Sequence, residues 1–235
     1  MDLIETQLQD PISHWYYAHK FKNILKSIKG SDVDGKHLID VGAGSALFSK
    51  KLSENHPNLC VSAVDINYGA LEISKSTPKF SYLTSFSGLS GDIYLLTDIL
   101  EHVYDDKEFL IEIVNSAPKD AKFVITVPAL MTLWSDHDVF LKHFRRYSKP
   151  ELHSLMLACG LEVSRCHYLF GTVFPLAWIS RRIKSKGAPS SQLKMHSKIL
   201  NRIMTIFLKI DLIFCSFLPF GVSLIGVGKK TLRDT

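Results

Sequence analysis

Residues 134–147, WSDHDVFLKHFRRY, crowd proton-exchanging and charged side chains into one short stretch. Two histidines, two aspartates, two arginines, a lysine, a tyrosine and a tryptophan follow directly on KFVITVPAL (122–130), which reads as a buried strand. Histidine titrates near neutrality, so His137 or His143 suits the role of a base toward a hydroxyl, with Asp138 placed to orient an imidazole. The competing reading has the histidines hydrogen-bonded to hold the loop. Arg145 and Arg146 either fork onto a carboxylate or phosphate of a bound molecule or pair with Asp136 or Asp138.

A second constellation lies earlier. LIDVGAGSALFS (38–49) carries Asp40, Gly42, Gly44 and the small Ala46 at the end of an apolar run. Glycines there let backbone approach a ligand closely, and the next helix directs amide donors toward it. Asp65, ending CVSAVDIN (60–67) about 20 residues on, is placed to accept ribose hydroxyls. A dinucleotide fingerprint needs glycine where Leu47 stands, so the turn fits a sulfonium nucleoside better than a pyrophosphate.

The elements that must position these residues alternate. Apolar strands read at 37–44, 60–67, 80–86, 92–100, 122–130, 161–170 and 222–230, with helical spacing at 12–28, 45–56, 68–76, 105–117 and 149–160. This order predicts an α/β domain with helices on both faces of a mainly parallel sheet. Ligands then sit beyond the carboxyl ends of the strands, where both constellations emerge.

IDVGAGSALFS, AVDIN and TDILEHV resemble the successive motifs of class I S-adenosylmethionine-dependent methyltransferases, over roughly residues 12–230. The resemblance implies a doubly wound, Rossmann-like seven-stranded sheet whose last strand, VSLIGVGKK, is antiparallel and inserted beside the fifth. It implies S-adenosylmethionine as cofactor, S-adenosylhomocysteine as product, and no metal. Gly42 and Gly44 would lie against the cofactor, Asp40 near its methionyl group, Asp65 and Ile66 at its ribose, and Asp98 and Ile99 beneath it. The acidic residue often found for adenine is missing, leaving Thr84 or Ser85. HWYYAHKFKNIL and the 134–147 stretch are similar to a sub-group found among quinol and other small-molecule, glycan and lipid pathways. That similarity brings Lys20 to the cofactor, and Trp15, Tyr16, Trp134, Asp138, Arg145, Arg146 and Tyr147 to the acceptor. His102 reads as a packing or cap residue.

The chain of 235 residues reads as one domain (1–235), with an N-terminal helical cap (1–30) and a helical, basic insertion (171–221) between the last two strands. Arg181, Arg182, Lys184, Lys186, Lys194 and Lys198 occur there with no acidic residue from 181 to 198, beside strongly apolar sequence. An apolar face next to a basic cluster suits a membrane surface or an acidic carrier protein; a lid is the alternative. Nucleic acid is disfavoured, because the basic residues keep to one loop without aromatic interleaving. Four scattered cysteines, no signal-peptide pattern and no membrane-length apolar run predict a cytoplasmic protein, peripheral at the inner face of a membrane. The activity expected is O-methylation of a small aromatic or lipid-linked acceptor. The alternatives are N-methylation, a carrier-bound acceptor, and a non-catalytic cofactor-binding docking module.

Overall fold

A computed structural model of the chain describes residues 11–28, 33–183, 198–214 and 218–231. Seven strands form one sheet: β1 (His37–Val41), β2 (Cys60–Val64), β3 (Phe80–Leu83), β4 (Ile93–Thr97), β5 (Lys122–Pro128), β6 (Leu161–Leu169) and β7 (Ser223–Lys230). Their order is β3-β2-β1-β4-β5-β7-β6. β7 runs antiparallel to both β5 and β6, and the other pairings are parallel. The expected sheet, including the place and direction of its last strand, is therefore the observed one.

The helices are α1 (Trp15–Ile28), α2 (Leu47–Asn55), α3 (Ala70–Ile73), α4 (Asp106–Ser116), α5 (Asp136–Phe140), α6 (Lys149–Ala158), α7 (Phe174–Ile183) and α8 (Lys198–Phe214). The pattern predicted over 68–76 shrinks to the single turn α3, and the polar stretch contributes the short α5. Every residue of β4 is buried, as is all of β5 after Lys122, because helices cover both faces. Successive side chains alternate between two cores. Ile39, Leu96 and Ile125 face α4 and α6, while Leu38, Leu95 and Val124 face α1, α2 and Leu208 of α8.

The insertion folds back on the N-terminal cap. Asn201 of α8 accepts the Trp15 amide at 2.9 Å and donates to the Ser13 carbonyl at 3.0 Å, supplying a partner to the otherwise open end of α1. The His19 imidazole meets the buried Asp211 carboxylate at 2.9 Å. Asp211 also accepts from the Phe170 and Thr172 amides, tying α8 to the end of β6. Lys184, Lys186 and Lys194 of the expected basic cluster lie outside the described residues. Among those described, no helix is long and apolar enough to cross a membrane.

Candidate functional site

Strand order reverses between β1 and β4, so the loops leaving them diverge and open a crevice at the sheet's carboxyl edge. The turn after β1 begins at Gly42, whose φ is +70°. A Cβ there would come within 2.5 Å of the Ile99 side chain, so conformation and close approach both demand glycine. Ala46 caps α2 with φ 55°, a left-handed conformation costing an L-residue about 1–2 kcal/mol.

Asp65, ending β2, is stitched to this turn. Its Oδ2 accepts the Gly44 amide at 2.8 Å, and its Oδ1 accepts the Asn67 amide at 2.9 Å and the Asn67 side chain at 3.1 Å. Three of about four acceptor positions on the carboxylate are thus engaged, and the exposed Asn67 side chain is the contact most easily exchanged for a hydroxyl. The cavity beside it is about 660 Å³ and is lined by Gly42, Gly44, Asp65, Ile66, Asp98 and Ile99. Thr84, Ser85 and Phe86, after β3, close its far side.

Asp98 stands at the end of β4 with φ 52°, and its Oδ1 accepts from the Thr126 hydroxyl at 3.2 Å. Its other oxygen accepts from the fully buried Lys20 ammonium, which also sits 4.9 Å from the Tyr16 ring centre. Burial alone would favour neutral forms of both groups. Their mutual attraction wins, holding Lys20 above and Asp98 below their ordinary values.

A second, smaller cavity of about 220 Å³ shares Asp98 and His102 with the first. Trp15 and Tyr16 of α1, Phe170, His137, His143 and Arg146 line it, and Arg181 of α7 reaches in. Tyr16 stacks on Phe170 with ring centres 4.8 Å apart. The hub of the polar stretch is Asp138, which has no exposed surface. It accepts from the Ser135 amide and hydroxyl at 2.9 and 3.2 Å, from His143 Nδ1 at 3.0 Å and from Arg146 Nε at 2.6 Å. Burial would raise its pKa, but His143 and Arg146 hold it well below the carboxylate range. Burial brings His137 down to about 4, so its imidazole is neutral at physiological pH and a weak base. With Nδ1 of His143 engaged by Asp138, Nε2 is the nitrogen left for the cavity.

Glu101, 1% exposed, lines the same cavity, and its Oε2 has no hydrogen-bond partner among the described residues. Burial, reinforced by Asp98, pushes its pKa well above the usual value. Glu101, His102 and His143 hold ligand-type atoms within 4.8 Å of one another, a mixed carboxylate–imidazole set able to take a metal ion.

The structure brings Gly42, Gly44, Asp65, Ile66, Asp98 and Ile99 to the larger cavity, and Trp15, Tyr16, His137, His143 and Arg146 to the smaller one. Asp138 acts from behind, through His143 and Arg146. Five expected contacts move away. Asp40 is 3% exposed beneath the glycine turn and does not line the cavity. Lys20 lines neither cavity and reaches the site through Asp98 and the Tyr16 ring. Arg145 turns outward to bond the Tyr104 carbonyl and pair with Asp106 at 3.0 Å. Tyr147 donates to the buried side of Asp106 at 2.5 Å, and Trp134 lines neither cavity. Conversely, His102 joins both cavities where packing was expected, and Glu101, Phe170 and Arg181 are additions.

No family model matches the chain, and no curated sequence does. Solved structures do match. An S-adenosylmethionine-dependent methyltransferase from Mesorhizobium loti has a TM-score of 0.59 at 11% identity, covering 92% of this chain and 100% of that one. One from Archaeoglobus fulgidus has a TM-score of 0.56 at 16% identity, covering 92% and 94%. The cyclase SpnF has a TM-score of 0.58 at 11% identity, covering 93% and 82%, so this architecture alone does not decide the reaction. At 11–16% identity these likenesses show a shared architecture, the fold that these S-adenosylmethionine-dependent methyltransferase structures also have.

Proposed function

We propose that the protein is a methyltransferase that uses S-adenosylmethionine to methylate a hydroxyl of a small aromatic or lipid-linked acceptor. One observation carries the reading: two cavities of different character meet at Asp98 and His102. The larger has the glycine cradle and the Asp65 carboxylate that a nucleoside needs. The smaller has aromatic walls and the titratable stretch. Bound S-adenosylmethionine supplies an activated methyl group.

The chain's own task is to align the acceptor oxygen with that methyl group, since an in-line displacement gains most from positioning. His143 is the better base of the two histidines, because Asp138 fixes its ring and stabilises the imidazolium formed on proton uptake. His137, buried and neutral, suits orientation of the acceptor.

A lipid-linked acceptor is supported by the cover. α7 exposes Leu176 and Ile179 beside Arg182, and α8 exposes Ile206, Phe207 and Ile210 beside Arg202 and Lys209. Apolar side chains fringed by cations suit peripheral contact with an anionic membrane, at its cytoplasmic face.

The test is calorimetric titration with S-adenosylmethionine, followed by incubation of methyl-labelled cofactor with cell extract. Failure to bind the cofactor sinks the reading. Label entering the organic phase supports a lipid-like acceptor. Label in the aqueous or protein fraction assigns α7 and α8 a lid or carrier-docking role.

A further inference from the structure

We infer that the acceptor itself bears an oxyanion, a carboxylate or phosphate, held by Arg146 and Arg181 while its reacting atom lies at the Asp98–His102 junction. The inference rests on the methyltransferase reading and names the acceptor class that the smaller cavity selects.

The argument is one of charge and donor count. Arg146, 6% exposed, uses Nε on Asp138 and Nη1 on the Ala129 carbonyl at 3.1 Å, leaving three of its five N–H groups. Arg181 bonds the Leu133 carbonyl through Nη1 and forms no ion pair among the described residues. Asp138 cannot neutralise both. Its four donors already fill a carboxylate's capacity, and only one of them comes from a guanidinium.

The other acids that line the cavity leave this excess standing. Asp98 is matched by Lys20, and Glu101 pairs with neither arginine among the described residues. His137 is neutral. Burial and the neighbouring Arg146 bring Arg181 down to about 10, and the opposing pull of Asp138 does not outweigh them. A planar oxyanion matches the paired N–H geometry of guanidinium. The body between oxyanion and reacting atom lies against Tyr16 and Phe170, so a flat, partly apolar skeleton fits. The volume, about 220 Å³, falls below the usual range for drug-sized ligands and limits how much of the acceptor is enclosed.

The experiment uses the whole chain saturated with S-adenosylhomocysteine, and titrates 4-hydroxybenzoate, 4-hydroxyphenyl phosphate and the neutral 4-hydroxybenzamide. Arg181→Gln and Arg181→Lys are run beside the wild type. Arg181 is the residue to change, because loss of Arg146 would unbalance Asp138. At least one anion should bind tenfold or more tighter than the amide, about what a hydrogen bond to a charged group contributes. Arg181→Gln should remove that preference, Arg181→Lys should restore part of it, and affinity for S-adenosylhomocysteine should stay unchanged. Which anion prevails separates carboxylate from phosphate. Equal binding of acid and amide, no binding of either anion to the loaded protein, or an equal loss for acid and amide in Arg181→Gln overturns the inference. Failure to bind S-adenosylhomocysteine refutes the methyltransferase reading instead.

Discussion

Replacing Asp40 with asparagine should stabilise the ligand-free protein, by an amount that pH sets. Asp40 is 3% exposed, and burial raises its pKa from 3.8 to about 6, with the Ser49 hydrogen bond opposing and Asp65 adding a smaller push. A raised folded-state value means the native protein holds this proton more tightly than the unfolded chain does. The carboxyl therefore favours folding below about pH 4, and that advantage is lost as pH rises through about 6. A displacement of roughly two pH units corresponds to about 3 kcal/mol. Asparagine keeps the shape and an acceptor for Ser49 but never ionises. Asp40→Asn should accordingly gain about 3 kcal/mol at pH 7, roughly half of that at pH 5, and nothing below about pH 4. In a chain of this size the gain at pH 7 amounts to roughly 6–12 °C in melting temperature. Urea unfolding of both proteins at the three pH values measures it. A variant less stable at pH 7, or a gain that does not shrink in acid, refutes the reasoning. A carboxylate kept at such a cost next to the glycine turn should matter when a cationic ligand arrives. The same variant should therefore bind S-adenosylmethionine more weakly, with S-adenosylhomocysteine, which lacks the sulfonium charge, less affected.

Other outcomes are as specific. Asp65→Ala should weaken S-adenosylmethionine binding by about 1–3 kcal/mol in calorimetry, the value of hydrogen bonds to a charged group, and an unchanged dissociation constant in a folded variant removes its ribose role. Gly42→Ala should drive a methyl group into Ile99, destabilising the fold by about 1–3 kcal/mol and narrowing the larger cavity; wild-type melting and affinity would contradict this. Asp138→Ala should cost about 3–5 kcal/mol because Arg146 is left buried and uncompensated. Since the Asp138 pKa is depressed, the wild-type advantage exists above the ordinary carboxylate value and disappears as pH falls below it, which acid titration of both proteins will read. Once an acceptor is in hand, His143→Gln should slow turnover on a hydroxyl while sparing affinity for S-adenosylhomocysteine, and a larger loss in His137→Ala would move the base to that residue.

What the sequence revealed follows the range of the interactions. The glycine turn and Asp65 were legible because their chemistry is local: two strand ends in parallel register, with the Gly44 amide meeting the Asp65 carboxylate. The antiparallel last strand followed from the family's motif order. Lys20 was not legible as a partner of Asp98, because 78 residues separate them and nothing in the composition of α1 says which face carries a buried cation. Arg145 and Arg146 are neighbours with opposite fates, since the turn entering α6 sends one to Asp106 and the other to Asp138. Arg181 read as one more cation of a basic insertion. Packing of α7 against the segment around Leu133 turns it inward, and no periodicity over 174–183 encodes that contact.

The distribution of buried charge explains why donor and acceptor are so unequally readable. The larger cavity is built from backbone conformation and from Asp65 at a strand end, features that lie close together in the sequence. The smaller cavity is held by charged pairs: Lys20 with Asp98 and His19 with Asp211 join distant segments, while Asp138 with His143 and Arg146 ties the polar stretch to itself. Burying such charges recovers little net stability, because desolvation offsets most of the attraction, whereas removing one partner is costly. Apolar contacts alone would have let α1, α7 and α8 slide over the sheet with small loss. The paired charges penalise displacement of α1, α8 and the polar stretch and so define where Tyr16 and His143 stand relative to the larger cavity. Changing the acceptor would then require changing the cover and the polar stretch together, while the sheet and its glycine turn stay as they are.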